Sequence, residues 1–139
     1  MDLALVQGEW VTNSRNYDGA MCKALGWERV NSRYYDAIAA NGRKTEVKKM
    51  KTGSMFLNMV VYAEMKLNPE LADSDTLFLR YKGDRGTEYF IVNTMKLVDY
   101  VIPRKELAEL ILLEHEVLGR KNRNQYPITL KEIKKLAGV

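Results

Sequence analysis

The sequence predicts an α/β fold in which a mixed sheet is flanked by helices, with extra helices at the C-terminal end. Two observations predict it. Short β-rich runs alternate with longer runs whose apolar residues recur at helical spacing, in the order helix, three short strands, helix, strands and helices. The length of 139 residues and a hydrophobic fraction of 46% suit one compact core. We therefore expect a single domain over residues 1–139.

The first third of the chain is predicted to contain one helix and three strands. Residues 12–14 (Thr-Asn-Ser) supply N-cap candidates for the helix, and Gly26 is a natural C-terminal stop. Turn signals at residues 31–32 and 40–42 separate the strands. The predicted bounds are 15–25 for the helix and 27–30, 34–39 and 43–50 for the strands.

The middle of the chain is predicted to contain a second helix and three more strands. Ser54 is the expected cap of a helix over residues 55–67, which Asn68 and Pro69 end. This run is apolar on most sides, which suits a helix packed between a sheet and another surface. The strands are predicted at 76–81, 87–95 and 97–102, with a hairpin loop at 82–86.

The C-terminal part is predicted to be a helical extension over about residues 104–139, added to a core of about 12–102. A first helix covers residues 104–118, and a polar basic link follows. Thr129 and Glu132 have the spacing of a capping box for the last helix. Residues 127–139 also resemble the first helix and turn of a helix-turn-helix DNA reader, although any amphipathic capped helix gives this pattern.

Composition excludes several classes of protein. The chain has one cysteine, Cys22, and one histidine, His115, too few for a disulfide or for the usual structural zinc sites. It has no apolar run of the roughly 20 residues that span a bilayer, and its N-terminus lacks the features of a signal peptide. We therefore expect an intracellular protein, in the cytoplasm or nucleoid, with no membrane partner.

The basic side chains are concentrated in two blocks. Residues 29–51 contain seven basic and two acidic side chains, and residues 120–139 contain six basic and one acidic, within a net charge of +4. Two such blocks predict a polyanionic partner that contacts two surfaces of the protein. Basic faces that are simply solvated would give the same composition.

Three charged residues of the predicted second hairpin form a candidate catalytic group. Asp36 lies on one strand, and Glu46 and Lys48 lie on the same face of the next. Neighbouring carboxylates repel each other unless a cation lies between them, and hard oxygen ligands suit Mg²⁺. Lys48 would then lie beside the metal, where it could hold an attacking water and stabilise developing negative charge. The pattern predicts metal-assisted phosphodiester hydrolysis.

The stretch D-A-I-x₄-G-x₃-E-V-K over residues 36–48 resembles the PD-(D/E)XK nuclease superfamily, and most closely its PvuII-type restriction endonucleases. The resemblance covers roughly residues 12–95 and implies a restriction-endonuclease-like core. Tyr35 stands where the family name implies proline, which is often missing among restriction enzymes.

The resemblance implies roles for particular residues. Asp36, Glu46 and Lys48 would be catalytic, and Asp36, Glu46 and Val47 would hold Mg²⁺. Asp18 or Glu28 would be an accessory acidic residue from the first helix or beside it. Candidate DNA contacts are Arg33, Tyr34, Arg43, Lys44, Lys49, Lys51, Ser54 and Asn58.

The expected function is that of a small Mg²⁺-dependent type II restriction endonuclease acting on double-stranded DNA. One chain has room for one active site, so cutting both strands at a palindromic target requires a homodimer. A Holliday-junction resolvase would use the same catalytic residues and would recognise branch shape. A non-enzymatic DNA-binding protein is the alternative from another class, and it would need no metal.

Overall fold

The computed structural model describes residues 17–119 and 124–139, except for the side chains of Tyr17 and Asp18. It is an α/β structure with a mixed five-stranded sheet. The described residues divide into two compact units, one drawn from residues 17–52 and 74–91 and the other from residues 53–73, 92–119 and 124–139. No helix among the described residues has both the length and the apolar character needed to cross a membrane.

The first unit is built on the five-stranded sheet, whose strand order is β1-β2-β3-β5-β6. β1, β2 and β3 pair antiparallel, whereas β3 and β5 pair parallel. A parallel pair requires a long crossover, which here runs through residues 53–73. The bounds are α1 (Tyr17–Leu25), β1 (Glu28–Arg29), β2 (Ala37–Ile38), β3 (Lys44–Met50), β5 (Asp75–Tyr81) and β6 (Thr87–Asn93), whose last two residues fall in the second unit.

One face of this sheet packs against α1. Core residues recur at every second position along the strands, because side chains at i and i+2 lie on the same face of a sheet. Val47 on β3 and Leu77 and Leu79 on β5 point toward buried residues of α1. The complete cluster is Met21, Cys22, Ala37, Val47, Leu77 and Leu79, with Leu25, Trp27 and Tyr81 at its margin.

The second unit combines a two-stranded antiparallel sheet with four helices. α2 packs against both α3 and α4, and its buried residues include Tyr62 and Met65. The bounds are β4 (Ser54–Asn58), α2 (Met59–Leu67), α3 (Thr94–Val101), α4 (Lys105–Leu118), β7 (Gln125–Thr129) and α5 (Leu130–Ala137). Short 3-10 turns occupy Pro69–Ala72 in this unit and Gly83–Arg85 in the first.

The structure corrects the sequence prediction at residues 54–58. They form a strand and not the first turn of a helix, because β7 supplies antiparallel partners for them. The helix begins at Met59, and its cap is Asn58, whose side chain accepts a hydrogen bond from the Val60 nitrogen at 3.0 Å. Ser54 is therefore not a cap.

A second correction concerns the predicted strand at 97–102. These residues belong to α3 and its C-cap, because Asn93 caps a helix by accepting a hydrogen bond from the Lys96 nitrogen. The predicted basic link also contains the start of a strand, since Gln125 opens β7; residues 120–123 lie outside the described part of the chain. The first two predicted strands are shorter than expected, and the helix at 105–118 is confirmed.

The capping box of α5 is confirmed, and it forms the centre of a larger hydrogen-bond network. Glu132 accepts hydrogen bonds from the nitrogen and the hydroxyl of Thr129. It also accepts one from the Tyr126 hydroxyl, at 2.7 Å, and one from the Tyr100 hydroxyl. Partial burial opposes ionisation of Glu132, but these hydrogen bonds outweigh it and lower its pKa to about 2. The network ties α5 and β7 to α3.

Stability should therefore depend on the charge of Glu132. A carboxyl group whose pKa is lower in the folded state stabilises the protein above its unfolded pKa, 4.5, and this contribution disappears as the pH falls toward 2. We expect a loss of about 1–2 kcal/mol in the free energy of unfolding over this range, allowing for solvent screening. Urea unfolding of the wild type and of Glu132→Gln measures it. Parallel pH profiles for the two proteins would contradict the assignment.

Candidate active site

The candidate site is built on the hairpin that joins β2 to β3. Gly42 has a positive φ of 82°, which favours glycine at this position of the turn. Asn41 stabilises the turn by accepting a hydrogen bond from the Arg43 nitrogen at 3.0 Å, and the Ala39 nitrogen donates to the Arg43 carbonyl at 2.9 Å. The turn fixes the register of the two strands that carry the candidate catalytic residues.

This register brings Asp36 and Glu46 to neighbouring positions. Ala37 pairs with Thr45, and the Asp36 nitrogen donates to the Thr45 carbonyl at 2.9 Å. Asp36 lies at a bend just before β2, beside the stretch Thr45–Val47 of β3 that contains Glu46. Both residues are half-buried. Asp36 was predicted on a strand, but it lies one residue outside β2, and its closeness to the Glu46 carboxyl group stays a prediction.

The Asp36 carboxylate is held against the backbone of β3. Its Oδ2 accepts a hydrogen bond from the Val47 nitrogen at 2.8 Å. β2 consists of only Ala37 and Ile38. Just before it, the Asp36 side chain supplies the hydrogen-bond acceptor for the Val47 nitrogen in place of a main-chain carbonyl. A carboxylate has about four acceptor positions, which leaves capacity for a further ligand.

Lys48 and Lys49 lie on opposite faces of β3. Lys48 is half-buried on the face that carries Glu46, whereas Lys49 is exposed on the face of Val47. β5 extends the Lys48 face, because Glu46 pairs with Thr76 and Lys48 with Phe78 in the parallel register. Thr76 and Phe78 are buried, so Glu46 and Lys48 lie next to buried side chains of β5.

A polar hollow adjoins Asp36. Its volume is about 510 Å³, and it is lined by Arg29, Val30, Asn31, Ser32 and Asp36. The connection between β1 and β2 forms its wall, and the Val30 nitrogen holds this connection in place by donating to the Asp36 carbonyl at 2.8 Å. Residues 31–32 give a turn signal and equally suit phosphate contacts in the sequence, which does not show that they border a cavity.

Of the predicted accessory carboxylates, Glu28 is exposed on β1. It pairs with Ile38, on the sheet face of that residue, and not with Asp36. Asp18 lies in α1, but its side chain is outside the described part of the structure. Among the described side chains, no three carboxylate, histidine or cysteine groups lie together so that they could hold a metal ion.

The predicted DNA contacts are distributed over several local environments. Arg43 is paired with Asp75 at 3.1 Å, and the ammonium group of Lys44 lies 5.4 Å from the ring centroid of Tyr35. Asn58 uses its side chain as the α2 cap. The remaining candidates are half-buried Tyr34 and exposed Arg33, Lys49, Lys51 and Ser54.

Removal of the Asp36 carboxylate should destabilise the fold. In Asp36→Ala the part-buried Val47 nitrogen of β3 loses its acceptor, which should lower the free energy of unfolding by about 1–3 kcal/mol. Asp36→Asn retains a side-chain oxygen and is the matched control. Urea unfolding measures both variants. Equal stability of Asp36→Ala and the wild type would show that this hydrogen bond contributes nothing.

No protein-family model matches the chain, and no curated protein matches it.

Proposed function

We propose that this protein is a Mg²⁺-dependent endonuclease with a restriction-endonuclease-like core, which hydrolyses DNA phosphodiester bonds as a homodimer. The observation that carries the proposal is the register of the β2–β3 hairpin. It brings Asp36 beside β3, where its nitrogen and Oδ2 bond to Thr45 and Val47, the neighbours of Glu46, and Lys48 shares a strand face with Glu46. This is the arrangement of residue types that metal-assisted phosphodiester hydrolysis requires.

The donor set suits Mg²⁺. Asp36 and Glu46 would provide carboxylate oxygens. The N–H and C=O groups of one strand residue point to the same side of the strand, and the Val47 nitrogen points to Asp36. The Val47 carbonyl would therefore be a third oxygen ligand on that side. Mg²⁺ is commonly bound through one or two carboxylates plus substrate phosphates, so a third acidic residue is not required. When bound, Mg²⁺ supplies a lowered pKa for the attacking water and charge neutralisation at the phosphate.

Lys48 has the charge and position for the remaining catalytic role. Its ammonium group is a three-proton donor on the face that carries Glu46. There it would orient the attacking water by donating a hydrogen bond and would stabilise negative charge that develops on the phosphate. Partial burial strengthens such an interaction, because the local dielectric constant is lower than that of water.

The hollow beside Asp36 suits one segment of a sugar-phosphate backbone. Asn31 and Ser32 at its margin are uncharged donors of the kind that contact phosphate oxygens. The surrounding sequence, residues 29–51, has a basic excess that would attract a polyanion. DNA could therefore be held by the hollow while the scissile phosphate meets Asp36, Glu46 and Lys48.

A non-enzymatic DNA-binding protein is the second candidate. One observation favours it: among the side chains that the structure describes, which do not include Asp18, no three acidic, histidine or cysteine groups form a metal-binding site. In that case Asp36 serves only to hold the Val47 nitrogen, and the basic residues bind phosphates.

The test is to incubate the purified protein with unmethylated plasmid and phage DNA in Mg²⁺ and to sequence the ends of the products. A synthetic four-way junction is treated in parallel. Ends at one short palindrome support a restriction endonuclease, and cuts confined to the junction support a resolvase. DNA that is bound but stays intact with Mg²⁺ would leave the non-enzymatic protein as the better account.

A further inference from the structure

Helix α4 has apolar side chains on two opposite faces. One face packs on α2 and buries Ala108 and Ile111. The other face exposes Leu110, Leu113 and Val117, whose exposed fractions are 51%, 57% and 73%. A helix with one apolar face is the normal state at a protein surface, so the second face requires an explanation.

The exposed residues have the spacing of a helix-pairing seam. Intervals of three and four residues separate Leu110, Leu113 and Val117, which corresponds to successive a, d and a positions of a heptad. Such a row is an apolar stripe onto which a second helix can pack its own leucines. Scattered surface apolar residues would not repeat in this way.

The charges beside the seam identify the chemistry of the second helix. The flanking e and g positions are Glu109, Glu114 and Glu116, and all three are exposed. In a parallel pair of two copies, Glu109 would face Glu114 of the partner copy. In an antiparallel pair, Glu109 would face Glu116. Flanking charges set partner choice in helix pairs, so the seam repels a second copy of itself and attracts basic flanks.

We propose that the outward face of α4 is a docking surface for a basic amphipathic helix of another protein, with leucines in its seam and lysine or arginine beside them. The leucines would cover the stripe, and the basic side chains would pair with Glu109, Glu114 and Glu116. This inference is independent of the nuclease proposal, because it uses only α4 and requires no DNA and no metal.

The probe is a fluorescein-labelled three-heptad peptide with leucine at its a and d positions and lysine at its e and g positions. Fluorescence anisotropy with the full chain measures its affinity, and a peptide with glutamate at e and g is the negative control. We expect the lysine peptide to bind with micromolar affinity and the glutamate peptide to show no binding. Added NaCl should weaken the lysine complex, since its flanking ion pairs are exposed.

Two variants separate the apolar and charged contributions. Leu113→Ser should weaken peptide binding about tenfold, since it removes a central contact. Phe56→Ser is the matched control, because Phe56 is 64% exposed but lies on β4. The double variant Glu109→Gln, Glu116→Gln keeps the stripe and should weaken binding about fivefold. Both variants alter exposed side chains, and circular dichroism confirms that they fold.

Three results would overturn the proposal. One is no binding of the lysine peptide up to about 100 µM protein, a concentration that would detect even a weak complex. Another is equal binding by Leu113→Ser and the wild type. The third is self-association in sedimentation velocity that Leu113→Ser abolishes, which would make a second copy of this chain the occupant of the seam.

Discussion

Glu46→Gln is expected to lower the single-turnover rate of DNA cleavage in Mg²⁺ by several powers of ten. Glu46 would contribute a negatively charged oxygen ligand, and loss of a metal ligand commonly removes most of the activity of such a site. The substitution keeps the size of the side chain and one acceptor oxygen, and it replaces the other oxygen by an NH2 donor. Thermal unfolding should therefore remain close to that of the wild type, and the measurement isolates chemistry from folding.

Glu88→Gln is a suitable control for this experiment. Glu88 also lies on a strand of the same sheet, and it pairs with Arg80 at 3.0 Å. The proposed mechanism gives it no role, so its loss should leave the cleavage rate nearly unchanged. A Glu46→Gln protein that cuts DNA as fast as Glu88→Gln would remove Glu46 from the catalytic group.

Lys48→Ala is expected to cause a comparable loss of rate while DNA affinity in Ca²⁺ changes little. A group that acts on the attacking water or on transition-state charge affects the chemical step more than binding. Ca²⁺ is used for the affinity measurement because its looser coordination should allow binding without cutting.

Lys49→Ala is the internal control, because Lys49 occupies the opposite face of the same strand. It should retain the wild-type rate of the chemical step. If the protein only binds DNA, each lysine is one phosphate contact among several, and each variant would reduce the salt dependence of binding by about one unit. Equal, small effects of the two substitutions would argue against catalysis by Lys48.

The hairpin that carries the site could be predicted from sequence because its determinants are local. The turn at 40–42 requires a glycine with positive φ, and alternation along β3 then separates the face of Lys48 from that of Lys49. Asp36 was predicted on a strand over residues 34–39, but β2 is only Ala37–Ile38 and Asp36 lies at a bend just before it.

The bond between Asp36 and the Val47 nitrogen could not be predicted, because it depends on how far the β2 ladder extends beside β3. The parallel pairing of β3 with β5 could not be predicted either. The partners of that pair are separated by the whole crossover, and no local pattern specifies which strand a buried strand will join.

The prediction failed at residues 54–58 for a related reason. Met55, Phe56 and Leu57 suit a helix or a strand, and Ser54 is a good helix cap by type. Pairing with β7, which lies some 70 residues further along the chain, decides in favour of the strand, and Asn58 becomes the cap. At 97–102 the apolar residues again suit both states, and the side chain of Asn93 decides for the helix.

The most direct test of the central claim is conversion of supercoiled plasmid by the wild type and by Asp36→Asn under one set of conditions. Asp36→Asn keeps an acceptor for the Val47 nitrogen but loses the carboxylate charge. We expect the wild type to linearise or nick plasmid in Mg²⁺ and to bind it without cutting in Ca²⁺. Asp36→Asn should bind plasmid but leave it supercoiled in Mg²⁺. Cleavage by both proteins at the same rate, or intact plasmid with the wild type in Mg²⁺, would contradict the central claim.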